Sequence, residues 1–280
     1  MIEHSFPGHR VGDFHITAIS DGYLQAPLGL LSNIDPADAT QMQSRAGQRP
    51  PESIHINCYL LRSARHTVLI DAGAGGIRQG GGLLLHNLAL AGVSPEDIDT
   101  ILLTHAHPDH VGGLLNAAGE RVFPNAELVV HRSEWDFWRD DAHLSRASER
   151  ARGNFQIART VFERYHQQLR TFDSEEVLPG VQAMPLPGHT QGHTGYLLTS
   201  AAQNLLVWGD IVHFPHIQIQ RPDVTIAFDQ DAALSASTRS RMLDMASADQ
   251  LLIAGMHLGE LGFARIQRER SGFSLQYDRS

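Results

Sequence analysis

The chain has 280 residues, 42% of them hydrophobic and 19% charged, so it holds enough apolar material for a sizeable core and does not read as disordered. Its 22 basic and 31 acidic residues leave a formal charge of -9, which argues against nucleic acid or an anionic membrane surface and favours a small-molecule partner. The length suits one large α/β domain over residues 1–280. A lone cysteine, Cys58, excludes an internal disulfide and reads as a buried strand residue. Met1 to Pro7 has no basic stretch followed by an apolar one, and no apolar run reaches membrane-spanning length, so the expected location is cytoplasmic.

In chain order, Val11 to Ser20 alternates and predicts a first strand, with Asp21-Gly22 turning the chain after it. Residues 26–51 are mixed and polar, end in Pro50-Pro51, and predict an excursion that forms a lid, a pocket wall or a dimer contact; a homodimer is therefore expected as one possibility. Two strands follow, Ile54 to Arg62 and His66 to Ile70, the second entering Asp71-Ala72-Gly73-Ala74-Gly75-Gly76. Leu83 to Ala91 has helical apolar spacing and stops at Gly92, and Ser94-Pro95-Glu96-Asp97 reads as a short capped helix. The strand Ile101-Leu102-Leu103 then runs straight into a histidine cluster.

Beyond the cluster, Glu127 to Val130 predicts a strand, Ser133 a cap for a helix starting at Glu134, and Ala142 to Arg170 a long polar helical stretch. After Leu178-Pro179-Gly180, short strands return at Val181 to Met184, Thr194 to Thr199 and Leu205 to Trp208. A helix at Ala232 to Ala246 and a strand at Leu251 to Ala254 close the pattern. Strands, a helical middle and strands again predict two sheets packed on each other with helices outside.

Seventeen histidines are many for this length, and three of them fall in Thr104-His105-Ala106-His107-Pro108-Asp109-His110. Three imidazoles and a carboxylate crowded just after an apolar strand would be costly to bury without a cation. If the loop becomes helical near Pro108, His105 and His107 can face one ion while Asp109 and His110 face another. Two ions about 3.5–4 Å apart form a recognised hydrolytic arrangement, but they need more ligands than one loop supplies. The remainder can be sought where apolar strands end in glycine-marked loops: Pro187-Gly188-His189-Thr190, Trp208-Gly209-Asp210 and Ala254-Gly255-Met256-His257.

His-x-His-x-Asp-His, followed by Gly-His, Gly-Asp and a late Gly-x-His, resembles the metallo-β-lactamase-fold hydrolases over roughly Val11 to His257. The resemblance implies a four-layer αββα sandwich with its metals at the sheet edge. It implies one site from His105, His107 and His189, a second from Asp109, His110 and His257, and Asp210 bridging both. Two divalent ions follow, zinc foremost, with iron, manganese or cobalt also compatible with these donors. Asp71 matches a supporting position beside the metals, Thr104 can help similarly, and His193 matches a structural position.

Several departures narrow the branch. Only 23 residues follow His257, which leaves no room for the helical substrate domain of glyoxalase II-like thioesterases or the extra domain of the family's nucleases. Asp210 stands where true β-lactamases of this fold place cysteine or serine. Gly209-Asp210-Ile211-Val212-His213-Phe214, with Gln218, Arg221-Pro222-Asp223 and Phe228-Asp229, resembles the methyl parathion hydrolase-like group, and the bridging carboxylate also resembles acyl-homoserine lactonases. The tyrosine that lactonases place near their metals has no identifiable counterpart.

The resemblance implies hydrolysis of a small ester or lactone by a metal-bridging hydroxide, with Asp109 or His213 as proton donor. Trp135, Phe137, Trp138 and Phe214 are candidates for an apolar pocket. Aryl phosphotriester hydrolysis in the same site is the first alternative. A non-haem iron, sulfur dioxygenase-like enzyme is another, and a binding module with a closed structural metal site is the third.

Overall fold

The computed structural model describes residues 6–173 and 176–278; Met1 to Ser5 of the stretch read above for a leader lie outside the described residues. The first half contains β1 (Gly8–Val11), β2 (Phe14–Gln25), β3 (Leu31–Ser32), α1 (Pro36–Arg45), β4 (Ser53–Arg62), β5 (Thr67–Ile70), α2 (Leu84–Leu90), β6 (Thr100–Leu102), α3 (Pro108–Val111), β7 (Glu127–His131), α4 (Arg132–Arg139), α5 (Asp141–Arg146), α6 (Glu149–Tyr165) and β8 (Leu169–Phe172). The second half contains β9 (Glu176–Leu178), β10 (Val181–Pro185), β11 (Thr194–Ser200), β12 (Gln203–Val207), α7 (Pro215–Gln218), β13 (Thr225–Ile226), α8 (Ala232–Ala248), β14 (Leu252–Ala254), β15 (Phe263–Arg268) and β16 (Phe273–Tyr277). One sheet runs β1-β2-β4-β5-β6-β7-β8, the other β16-β15-β14-β12-β11-β10-β9, and β3 pairs with β13 apart from both.

Strands buried on both faces explain the four layers. Leu102 and Val129 of the first sheet meet Leu205, Val207 and Ala254 of the second in a central core. Their neighbours Ile101, Leu128 and Val130 point the other way, onto Trp138, Phe155 and Phe162 of the helices. On the far side Leu206 and Ile253 turn outward onto Met242 and Leu243 of α8. The period of two along each strand therefore sends alternate residues into different cores. Each such fully buried side chain contributes roughly 1.5–3 kcal/mol. The expected αββα sandwich is what these layers form. Cys58 lies fully buried in β4, and burial pushes its thiol up.

Several expectations are corrected. Val11 to Ser20 is not one strand: the chain turns at Gly12-Asp13 and β2 then runs on to Gln25. Asp21-Gly22 does not turn the chain but forms a register shift within the β2–β4 pairing. The shifted Asp21 carboxylate accepts hydrogen bonds from the backbone N–H groups of Ala74, Gly82 and Leu84. Glycine is required at position 81, where φ is +60° and a Cβ would come within 1.9 Å of Asp21 Oδ2.

Ala142 to Arg170 divides into α5, α6 and β8, because Asp140 and Ser148 each cap a new helix with a side-chain oxygen. Ser133 is not a cap: α4 starts at Arg132, and the His131 ring accepts the Ser133 N–H. The excursion at 26–51 folds back on the same chain, its Leu28, Leu31 and Ala39 packing against Phe214, Ile217 and Ile226. Among the described residues no helix is long and apolar enough to cross a membrane.

Candidate active site

The functional side chains sit where strands of both sheets end along one rim. Asp71 follows β5, His105 to His110 follow β6, Asp210 follows β12, His257 follows β14, and His189 lies in the turn between β10 and β11. Asp71 has a left-handed backbone, φ 58°, and its two oxygens accept the N–H and the hydroxyl of Thr104 at 2.8 and 2.7 Å. The chain then becomes helical at Pro108, as expected, and Asp109 and His110 fall into a second donor group beside that of His105 and His107.

Three imidazole nitrogens close a small triangle. His105 Nε2 is 3.0 Å from His107 Nδ1, His107 Nδ1 is 2.9 Å from His189 Nε2, and His189 Nε2 is 3.1 Å from His105 Nε2. Asp109, His110, Asp210 and His257 form an adjoining group, with donor atoms within 4.8 Å of one another. Asp210 Oδ2 is 3.2 Å from His110 Nε2 and His257 Nε2, and 3.4 Å from His189 Nε2. Its second oxygen, Oδ1, is buried without a hydrogen-bond partner. All seven residues expected from the sequence thus converge. His213 joins them, its Nε2 3.2 Å from Asp210 Oδ2.

Outer partners fix which nitrogen of each ring carries the proton. His110 Nδ1 is 2.7 Å from Asp71 Oδ2, His189 Nδ1 is 2.9 Å from Asp229 Oδ1, and His257 Nδ1 is 2.8 Å from the His55 carbonyl. Each outer nitrogen faces an acceptor and so carries N–H, which leaves the inner Nε2 with its lone pair. His105 follows the same logic: Thr104 Oγ1 spends its proton on Asp71 and accepts from His105 Nδ1 at 3.1 Å. Lone pairs at about 3 Å, with a carboxylate among them, repel one another unless a cation lies between. The donor set therefore fits divalent metal, and its N/O chemistry suits zinc and its first-row neighbours.

The charges follow from burial and these contacts. Burial holds His105 and His107 well below the ordinary imidazole value, so they are neutral donors. Burial also disfavours charge on His110 and His257, but the carboxylates of Asp210 and Asp109 outweigh it and raise both: their negative field draws a positive charge to the inner Nε2 positions, a proton there or the metal that would replace it. Burial lifts Asp229, yet the hydrogen bond to His189 and nearby charges bring it down to about 2. Burial lowers His213 to about 4 against the pull of Asp210.

His193 is not among the converging donors. Its Nδ1 donates to the Leu186 carbonyl and its Nε2 accepts the Asp210 N–H at 2.9 Å, so it fixes the backbone that presents Asp210. Gly209 permits this approach: φ is +61° and a Cβ would lie 2.3 Å from His193 Nε2. Two supports were missed from the sequence. Glu134 is fully buried and accepts from the Ala106 N–H, the Gly192 N–H and the Trp138 indole, tying two loops to α4. Asp229 was noted only as part of a resemblance, and its pairing with His189 had no local signal.

The site opens into a cleft of about 480 Å³ lined by His107, Asp109, Asp210 and His213 and, on its apolar side, by Phe137, Trp138 and Phe155. Trp138 stands edge-on to His107 at 5.7 Å. Trp135 lines no part of this cleft, against expectation, and Phe214 borders instead a neighbouring pocket beside His213 and His257. Trp135 packs against Phe162 and under Arg139, and Phe214 is buried beneath the 26–51 excursion. Among the described residues no tyrosine lines this cleft.

Residues 54–257 match the metallo-beta-lactamase superfamily, and the chain belongs to it. It is accordingly a metal-dependent hydrolase. It is similar to a hydrolase of the beta lactamase superfamily called AbOPH, at 27% identity and a TM-score of 0.92, covering 98% of both chains. The solved structure of AidC, a dizinc quorum-quenching lactonase, shares the fold at 24% identity and a TM-score of 0.91, with 99% of this chain and 98% of that one covered. An N-acyl homoserine lactonase from a Bacillus species is 24% identical over 67% of this chain and 76% of its own length. The uncharacterised Bacillus subtilis protein YobT is 29% identical over 57% of this chain, a match that spans 63% of that relative.

Proposed function

We propose that residues 1–280 act as one hydrolase domain that opens a small ester or lactone at a pair of divalent cations. His105, His107 and His189 would hold one ion, Asp109, His110 and His257 the other, with Asp210 between them. The observation that carries this reading is the placement of Asp210: one oxygen at 3.2–3.4 Å from imidazoles of both groups, the other buried and unpaired.

When bound, such ions supply Lewis acidity, bringing the pKa of water from about 15.7 to about 7 in the best-studied zinc case and polarising a carbonyl. Asp71, Thr104, Asp229 and the His55 carbonyl keep the inner ring nitrogens free of protons. Asp109, half-buried at the head of α3 and in the cleft wall, is placed to take a proton from the attacking water and return it to the leaving alkoxide. His213, in the same wall and kept neutral by burial, would offer a ring N–H as a hydrogen-bond donor to the developing oxyanion, in a cleft that no described tyrosine lines. Phe137, Trp138 and Phe155 shield the apolar part of the substrate from water.

The lactonase relatives favour a lactone as the first substrate to try. The test is side-by-side turnover of an acyl lactone, an aryl ester and an aryl phosphotriester, in air and without oxygen. Lactone or ester turnover ahead of the phosphotriester, unchanged without oxygen, is expected. Phosphotriester preference would move the assignment to that alternative, and oxygen consumption would contradict hydrolysis.

A further inference from the structure

We infer that the cleft selects substrates carrying an anion, a carboxylate on the acyl arm, through Arg78 and Arg150; this rests on the hydrolase reading above. Both arginines line the cleft that holds Asp109, Asp210 and His213. Arg150 stacks over the Phe228 ring at 4.2 Å, and Phe228 meets the His213 ring at 5.9 Å. The guanidinium is thus two contacts from the donor cluster, a spacing that a short acyl chain spans.

Both side chains are exposed at the cleft wall, and each has an anchoring contact there, Arg150 on Phe228 and Arg78 on Asn154. Arg78 has a left-handed backbone, φ 53°, and donates to Asn154 Oδ1 at 3.0 Å. It also lies against Gly153, where a Cβ would come within 2.9 Å of its terminal nitrogen. A glycine inside a 17-residue helix weakens that helix, and here the missing side chain makes the seat for Arg78. Among the described residues neither arginine pairs with a carboxylate, although the protein carries an excess of acidic groups. Burial and then the charge of Arg78 lower Arg150 from its ordinary value, against an upward pull from the Asp109 carboxylate. Two guanidinium groups lining one cleft, with N–H donors left over from these contacts, match a planar anion that both can bond.

The test uses ligands that differ only in that charge. Calorimetric titration of the metal-loaded protein with adipic acid monoanilide and with neutral hexananilide should show the acid binding about tenfold tighter. Arg150→Met and Arg78→Met should each remove most of that preference without changing hexananilide binding, and Arg150→Lys should restore part of it. Equal binding of the two anilides by the native protein, or a preference that survives Arg150→Met, would overturn the inference. Hydrolysis of mono-4-nitrophenyl adipate and 4-nitrophenyl hexanoate separates the two claims. Turnover of neither would count against the hydrolase reading, whereas turnover without charge preference would count against this inference alone.

Discussion

Asp210 has five imidazole nitrogens within 3.8 Å of one oxygen, yet its other oxygen is unpaired and buried. A buried carboxylate oxygen left without a partner costs about 1–3 kcal/mol or more, so something positive is expected to complete it. His213 offers a sharper test of chemistry than the cluster itself. His213→Phe should lower kcat at least tenfold while leaving metal content at the native level, because it removes a hydrogen-bond donor to the reacting oxygen rather than a primary ligand. Loss of metal with loss of turnover would instead make His213 a ligand.

His193 supplies a stability prediction with a definite sign. Burial lowers its pKa from 6.5 to about 3, so the unfolded chain binds a proton that the folded chain refuses between those values. Its contribution is present above about pH 6.5 and is lost as pH falls toward 3, at roughly 1.4 kcal/mol per unit. The gap in urea midpoint between the native protein and His193→Gln should therefore be widest near pH 7 and narrow at pH 5. A gap that widens on acidification would contradict the neutral, doubly bonded ring.

At the scale of elements, the ligand loops are only as well placed as the pieces that clamp them. Glu134 on α4 holds the 105–107 loop and the 192–193 turn with one accepted hydrogen bond each, and accepts a third from Trp138 of its own helix. Glu134→Gln turns one acceptor into a donor facing a donor. It should cost about 1–3 kcal/mol in unfolding free energy and weaken metal retention with every ligand intact. An unchanged urea midpoint would show the clamp to be idle. Asp21 clamps the glycine-rich loop before α2 in the same manner, and Asp21→Asn should destabilise by a similar amount, read the same way.

These clamps mark where sequence reading stops. His105 to His110 stood out because six adjacent residues carried the pattern, and His189, Asp210 and His257 because each closes an apolar strand beside a glycine. Glu134 meets partners 28 and 58 positions away, and Asp229 meets His189 across 40, so no local spacing announces them. Asp21-Gly22 was misread as a turn because those residue types favour turns. Only the pairing of β2 with β4 shows that the pair is a bulge inside a longer strand.

For the whole molecule, the two sheets were legible from short apolar runs such as Leu205 to Val207 of β12 and Leu252 to Ala254 of β14, which bury both faces. The partition of 142–170 was not, since helix formers run through it and only the capping oxygens of Asp140 and Ser148 cut it. The cluster binds the halves of the sandwich together, His105 to His110 coming from one sheet and His189, Asp210 and His257 from the other. Chelation should therefore lower the melting temperature by several degrees, in proportion to the logarithm of metal affinity. A melting temperature indifferent to chelator would mean that no ion links the sheets.

The central claim is that one carboxylate joins two cation sites, and metal content per chain tests it most directly. Mass spectrometric analysis of dialysed protein should find about two divalent ions in the native protein. In Asp210→Ala it should find no more than one, with hydrolysis abolished. A single ion in fully active native protein, or two ions and native turnover in Asp210→Ala, would contradict the account.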